Sequence, residues 1–373
     1  MMVAELGWTI LASALLLALA VDRWLGEPPV RWHPVVWVGN YLGWAGQRIA
    51  PLASVRSADQ AADSSVSQAE RHSHSHSHSH SQGASQAISP VENPDHAAFV
   101  RGALAWCAGG AVVFTVAAGL QSLLLRLPGW AAALGLGLLL KPLLAWAMLK
   151  SEVRAVEAAL SVSLEQGRER LSWLCSRDTS ALSESQVRET ALESLAENLN
   201  DSVIAPLFWF AVAGLPGAAL YRFANTADAM WGYRGERGGR QWEWAGKWAA
   251  HADDLLSWLP ARLSALLLAL AAGGLSPTRL RREAALTPSP NGGWPMGALA
   301  LALGIRLGKP GVYTLNAEGQ APGPQDTGRA CALAARAIGL LVLLASIMLL
   351  TQFWMQLWTG LPDAWPASGG GHG

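Results

Sequence analysis

The stretch ESLAENLNDSVIAPLFW, residues 193–209, carries three carboxylates at four-residue spacing: Glu193, Glu197 and Asp201. On a helix turning about 100° per residue they fall within about 80° of one another. Asn200 shares that face, whereas Asn198 points roughly 100° away from Glu197. Like charges four residues apart repel. A stripe of them at the edge of an apolar segment is costly without a counter-charge, and no Lys or Arg stands within the stretch. Two readings fit these residues. One is a solvated acidic face that ends where a membrane segment starts. The other is a seat for Mg2+, which takes a few carboxylate oxygens and keeps waters and phosphate oxygens in its other positions.

Further polar groups recur beside apolar segments. Arg177 and Asp178 precede the acidic row, and Asp178 or Ser180 is placed to cap a helix over 181–201. In YRFANTADAMWGYRGERGG, Asn225 and Asp228 are three apart and share a helical face, followed by Arg234, Arg237 and Arg240 for phosphate oxygens. HADDLLSWLPARL opens on Asp253 and Asp254 and carries Arg262; a helix cap and a snorkelling cation account for the same residues. TPSPNGGWPMGALA, with Ser289 and Asn291, offers backbone N–H groups to an anion or forms a plain turn. DRWLGEPPVRWHP places Asp22, Glu27 and His33 just after an apolar run. Neither GxxxxGK[ST] nor GxGxxG occurs, so no standard nucleotide fold is indicated.

The elements that must position these groups are membrane helices. Charged residues are 14% against a typical quarter, and apolar residues are 51%. Stretches near the roughly 20 apolar residues of a helical span occur at 3–21, 102–125, 131–149, 202–221, 255–274 and 333–358. The first has Glu5 and no basic residue before it, which favours a retained anchor over a cleaved signal. The third contains Lys141 and Pro142; the fourth contains Pro206 and the run Gly214-Leu215-Pro216-Gly217. The expected fold is therefore an all-α integral membrane protein of five to six spanning helices with broken or re-entrant segments and polar cytoplasmic loops. If all six cross, loops 22–101, 150–201 and 275–332 share a side holding about 18 of the Lys and Arg residues, against about six opposite, which places that side in the cytoplasm. Net charge is zero, so nucleic acid is not an expected partner.

The organisation expected is a first helix with its polar motif over 1–53, a disordered His-rich insert over 54–98, a membrane-embedded domain over 99–362 and a flexible tail over 363–373. The insert carries RHSHSHSHSHS at 71–81, able to chelate a divalent transition metal but lacking a rigid shell. Cys107, Cys175 and Cys331 are far apart and read as small apolar residues.

Five motifs in this order, DRWLGEPPVRWHP, SRDTSALSESQVRETALESLAENLNDSVIAPLFW, NTADAMWGY, HADDLLSWLPARL and SPNGGWPMGALALALGIRLG, resemble the CobD/CbiB family of cobalamin biosynthesis over about residues 15–345, the insert apart. The resemblance implies a multi-pass protein of the inner membrane with adenosylcobinamide-phosphate synthase activity. That activity joins aminopropanol phosphate to the free carboxyl of a corrinoid acid, adenosylcobyric acid, with ATP and Mg2+. It carries Arg177, Asp178, Glu193, Glu197, Asn198, Asp201, Asn225, Asp228, Asp253, Asp254, Ser289 and Asn291 onto family motif positions. Of these, Glu193, Glu197 and Asp201 are expected to serve Mg–ATP and catalysis. The others are expected to bind substrate, with Arg177 and Arg262 on phosphate or corrinoid carboxamides. Glu27 stands where the family more often has Asp, and His251 where Arg is expected. A complex with later enzymes of nucleotide-loop assembly follows from pathway logic. A corrinoid or metal transporter and a non-catalytic membrane sensor are the competing functions.

Overall fold

The computed structural model describes residues 2–53, 94–175 and 177–359. The His tract, nearly all of the insert and the tail lie outside the described residues. The described chain is mostly helix. In order come α1 (Met2–Leu25), α2 (Pro34–Ile49), α3 (His96–Leu124), α4 (Gly129–Leu140), α5 (Trp146–Leu160), α6 (Leu164–Leu171), α7 (Glu184–Leu199), a π turn (Asn200–Ile204) and α8 (Ala205–Trp231). The strands β1 (Glu236–Arg237) and β2 (Arg240–Gln241), α9 (Lys247–Ala271), α10 (Pro277–Ala284) and α11 (Gly293–Leu303) follow. Strands β3 (Leu307–Lys309) and β4 (Tyr313–Leu315) and α12 (Pro324–Thr359) complete the chain. Each strand pair is an antiparallel hairpin.

Six stretches are long and apolar enough to cross a membrane. The one over His96–Leu124 has mean hydropathy 1.9 with 17% of its window buried, and Pro324–Gln352 has 2.4 with 22% buried. Helices so apolar and so little covered by protein have lipid as their solvent, and the chain is a multi-pass membrane protein.

The contacts divide the chain into two units. The larger comprises Met1–Val38, Gly110–Asn225 and Asp253–Gly373, and α7 is its central helix. Residues 187–196 of α7 are buried without a break, so the helix is enclosed on every side. Leu192, Leu195 and Leu199 are fully buried and each contributes about 2 kcal/mol. Its start is not at 181 with Asp178 or Ser180 as cap. Ser183 and Gln186 form a reciprocal capping box, and Asp178 instead accepts from the Ser180 N–H at 2.9 Å. That bond holds the exposed Asp178 carboxyl below its usual pKa.

The break expected in the fourth stretch is present, and a second interrupts the third. Pro142 lies in a 3-10 turn, Lys141–Leu143, between α4 and α5. In α8 the helical angles fail at Ala213 (φ −133°) and Gly214 (φ 67°). The two arms then fold back on each other. Tyr221 reaches Asp201 Oδ1 at 3.3 Å and Arg222 donates to the Asp201 carbonyl at 3.3 Å. On a straight helix those residues would be about 30 Å apart. Segment 202–221 is thus a re-entrant hairpin that returns to its starting level, so the count in which all six stretches cross does not hold at the fourth. Gln121 on α3 caps the returning arm, its Oε1 accepting from Leu215 N at 2.7 Å.

The smaller unit, Gly39–Gly109 with Thr226–Ala252, has its own contacts. The Trp231 indole donates to the Leu42 carbonyl at 3.1 Å, and Arg240 donates to the Ala50 carbonyl at 2.6 Å.

Candidate active site

Enclosure of α7 forces its polar residues to find partners, because a buried charge without one is costly. Glu193, with 2% of its side chain exposed, pairs with Arg177 at 3.0 Å, and Arg177 also donates to Thr190 Oγ1 at 3.1 Å. Glu189 pairs with Arg306 at 3.3 Å. Arg188 holds Glu157 through two nitrogens and Glu184 at 2.7 Å. The counter-charges missing from the local sequence are thus protein cations from other elements. Glu193 Oε1 still accepts no hydrogen bond of normal geometry. The Tyr313 phenol lies beside it. Burial first, and the Glu193 carboxylate next, push that phenol well above its usual pKa, so it remains a donor.

One turn on, Glu197 is exposed and faces the turn before α11. A Cβ placed on Gly292 would sit 3.7 Å from its Oε1 and 3.6 Å from Ser289 Oγ. Ser289 Oγ accepts from the backbone N–H of Asn291 at 3.2 Å and of Gly292 at 3.1 Å. Those two donors, expected for an anion, are therefore used inside the turn. Asn291 clasps two further predicted residues: its Nδ2 donates to the Asp254 carbonyl at 2.7 Å and its Oδ1 accepts from Arg262 at 3.1 Å. Arg262 also lies over the rings of Trp258 and Trp294, 4.3 and 4.8 Å from their centroids. Its guanidinium holds the α9–α11 junction together.

At the next turn Asp201 Oδ1 accepts from Asn200 at 2.8 Å and from Tyr221. Asn200 also accepts from Ser264 at 2.9 Å. Arg222 donates to Asn225 Oδ1 at 3.0 Å, and Asn225 Nδ2 reaches Asp253 Oδ1 at 3.5 Å. Asn200 is therefore a buried bracket between Asp201 and Ser264. Asn198 bonds its own helix, donating to the Ser194 carbonyl at 3.0 Å.

The row thus meets a different set of neighbours at each turn. About 12 Å of helix axis separates Glu193 from Asp201, too far for one ion with bonds of about 2.1 Å to take all three carboxylates. Among the described residues no group of three or more His, Cys, Asp or Glu gathers as a metal cluster. The unclaimed Glu193 Oε1 and the exposed Glu197, adjacent on one face, do suit an ion that completes its shell with water and phosphate. Asp228 belongs to the smaller unit, where it is half-buried near the end of α8.

Residues that the sequence reading passed over contribute as much. Arg222 sits three before Asn225, a spacing that marks one helical face. Lys141, singled out only as an interruption, is 5% exposed and pairs with Glu27 at 2.7 Å and Asp22 at 3.4 Å; His33 lies 3.5 Å from Glu27. Arg306 stands inside the motif SPNGGWPMGALALALGIRLG but was not singled out there, and Tyr313 had no local signal beyond following a Pro-Gly turn.

A family model described as CobD/Cbib protein matches residues 15–341. A "Probable cobalamin biosynthesis protein CobD" of Methanothermobacter thermautotrophicus is 34% identical over 312 residues, covering 81% of this chain and 86% of that protein. One from Thermococcus kodakarensis is 36% identical over 317 residues, covering 84% and 88%. The "Cobalamin biosynthesis protein CobD" of Brucella anthropi is 34% identical over 311 residues, covering 80% and 81%. No solved structure matches significantly.

Proposed function

The chain belongs to the CobD/Cbib family of cobalamin biosynthesis proteins, and from that premise we propose that it is an ATP-dependent amide ligase of the cytoplasmic membrane. It attaches aminopropanol phosphate to adenosylcobyric acid, giving adenosylcobinamide phosphate. The observation that carries this reading is the acidic row of α7, with buried Glu193 beside Arg177 and Tyr313, and exposed Glu197 one turn away.

The reaction has two bond exchanges. The corrinoid carboxylate takes the terminal phosphoryl group of ATP, releasing ADP and forming an acyl phosphate. The amine nitrogen then attacks the acyl carbon, inorganic phosphate leaves, and the nitrogen loses a proton. Both nucleophiles belong to the substrates, so the protein's part is alignment and charge stabilisation. Arg177, neutralising Glu193, keeps a cation at the phosphate end of the row. Tyr313 supplies a phenol that stays protonated. Glu193 through Oε1, and Glu197, are the residues that would hold Mg2+, which neutralises phosphate charge when bound with the nucleotide. Asp201, about 12 Å beyond Glu193 along the row, is assigned with its neighbours to orient the corrinoid at its acyl end. Asn225 and Asp253 beside it bind corrinoid carboxamide groups.

The test is purified full-length protein with Mg–ATP, adenosylcobyric acid and aminopropanol phosphate. Amide product by mass spectrometry is expected, with ADP released only when both acceptors are present. ADP release indifferent to the acceptors, with no amide, would overturn the reading. Glu197→Gln is expected to raise the Mg2+ concentration needed for half-maximal rate, and Asp201→Asn to raise KM for the corrinoid acid.

A further inference from the structure

Between α7 and the β3–β4 hairpin lies an open cleft of about 630 Å3, lined among others by Gln186, Glu189, Arg306, Lys309 and Tyr313. None of the five sequence motifs contains Lys309. We propose that this cleft seats the amine substrate, an aminoalkyl phosphate monoester, with its phosphate on Lys309 and Arg306 and its ammonium toward Glu189. The proposal rests on the ligase reading and assigns one of its substrates to a place.

The hairpin fixes the backbone that carries Lys309. Lys309-Pro310-Gly311-Val312 is a turn closed by Val312 N on the Lys309 carbonyl at 3.0 Å, with Gly311 at φ 73°. Proline second and a left-handed glycine third are the residues a type II turn requires. β3 pairs with β4 from Leu307↔Leu315 to Lys309↔Tyr313, which fixes the register of Lys309 opposite Tyr313. Lys309 is exposed and, among the described residues, has no carboxylate within 4.0 Å. Arg306 is 40% exposed and gives Glu189 one nitrogen, which leaves the rest of its fork for a ligand.

Charge selects the ligand. Lys309 and Arg306 against Glu189 leave the cleft with one net positive charge, while Glu193 is already balanced by Arg177. A phosphate dianion carrying one ammonium has one net negative charge and both signs within a few bonds. A nucleotide triphosphate would bring several negative charges against Glu189. The cleft also lies beside Glu193 and Tyr313, at the end of the acidic row, where an amine must arrive to meet the activated carboxyl.

The experiment is calorimetric binding to the full-length wild type and to Lys309→Met, without ATP or corrinoid, so that no turnover is needed. The probes are 1-amino-2-propanol phosphate, unphosphorylated 1-amino-2-propanol, a non-hydrolysable ATP analogue and glycerophosphoethanolamine. Lys309→Met is expected to weaken the phosphorylated amine about tenfold or more, the scale of one charge-assisted contact, and to leave the ATP analogue unchanged. Binding of the phosphorylated amine unaltered within twofold would overturn the proposal. So would a loss confined to the ATP analogue, which would make the cleft a nucleotide seat. Equal binding of the phosphodiester would make it a lipid-headgroup site and would also refute the assignment. If Lys309-dependent binding holds but no amide forms, the ligase reading fails and the cleft assignment stands. If amide forms at normal KM for the amine in Lys309→Met, the reverse is true.

Discussion

Arg177 is the partner on which the most buried carboxylate of the row depends. In Arg177→Met the Glu193 side chain, 2% exposed, loses its cation while Thr190 loses a donor. Removing one member of a buried pair costs about 3–5 kcal/mol. Arg177 itself is 22% exposed, so water enters in part, and about 2–4 kcal/mol is the expected loss. At about 2 °C per kcal/mol for a chain of this size, the midpoint of thermal inactivation in detergent should fall by roughly 4–8 °C. Glu193→Gln in the same background removes the stranded charge while keeping the shape. The double variant is expected to recover at least half of the lost stability and none of the ligase activity. If Glu193→Gln instead adds its own loss to that of Arg177→Met, the two residues do not act as a pair and the electrostatic account of α7 is wrong.

Other consequences are equally direct. Gly214→Ala places a Cβ at φ 67° and against the Gln121 side chain that caps Leu215; a loss of about 2–3 kcal/mol is expected, and an unchanged inactivation midpoint would argue against the hairpin. Lys141→Met strands Asp22, 1% exposed, and Glu27; it should destabilise by about 3–5 kcal/mol, with partial rescue when Asp22→Asn is added, and no rescue would break the assignment. Tyr313 titrates above the ordinary value of 10.0. The folded state holds the proton more tightly than the unfolded, so its contribution is complete below about pH 10 and is lost as pH rises further. The ultraviolet difference between wild type and Tyr313→Phe should therefore show no tyrosinate at pH 10, where a free phenol is half ionised; a half-ionised signal there would contradict the buried placement.

Much of this protein was legible from local spacing. Low charge and long apolar runs specified a membrane protein, because the bilayer accepts little else. The four-residue spacing of Glu193, Glu197 and Asp201 put them along one helical side, since the helical period is a property of a single segment. The Gly214–Gly217 run marked a break for the same local reason. The period also set Asn200 on the face of the acids, whereas the motif comparison favoured Asn198.

Partners depend on packing across elements, which no local period encodes. Glu193 draws its cation from the loop before α7, Glu189 draws its own from a residue 117 positions away, and the Asp201 carboxylate takes a phenol donor from the far arm of a hairpin. Gly214 announced a break, but only the contact of Tyr221 with Asp201 decided that the chain turns back there. The sequence around Ser289 fits an anion-binding turn and a plain turn equally; in the fold its hydroxyl takes the N–H groups itself. The sequence by itself determined the solvent of the fold and the face on which its acids stand. Tertiary structure decided what each acid meets, because a charge removed from water must be matched in space and the chain can bring the match from anywhere along its length.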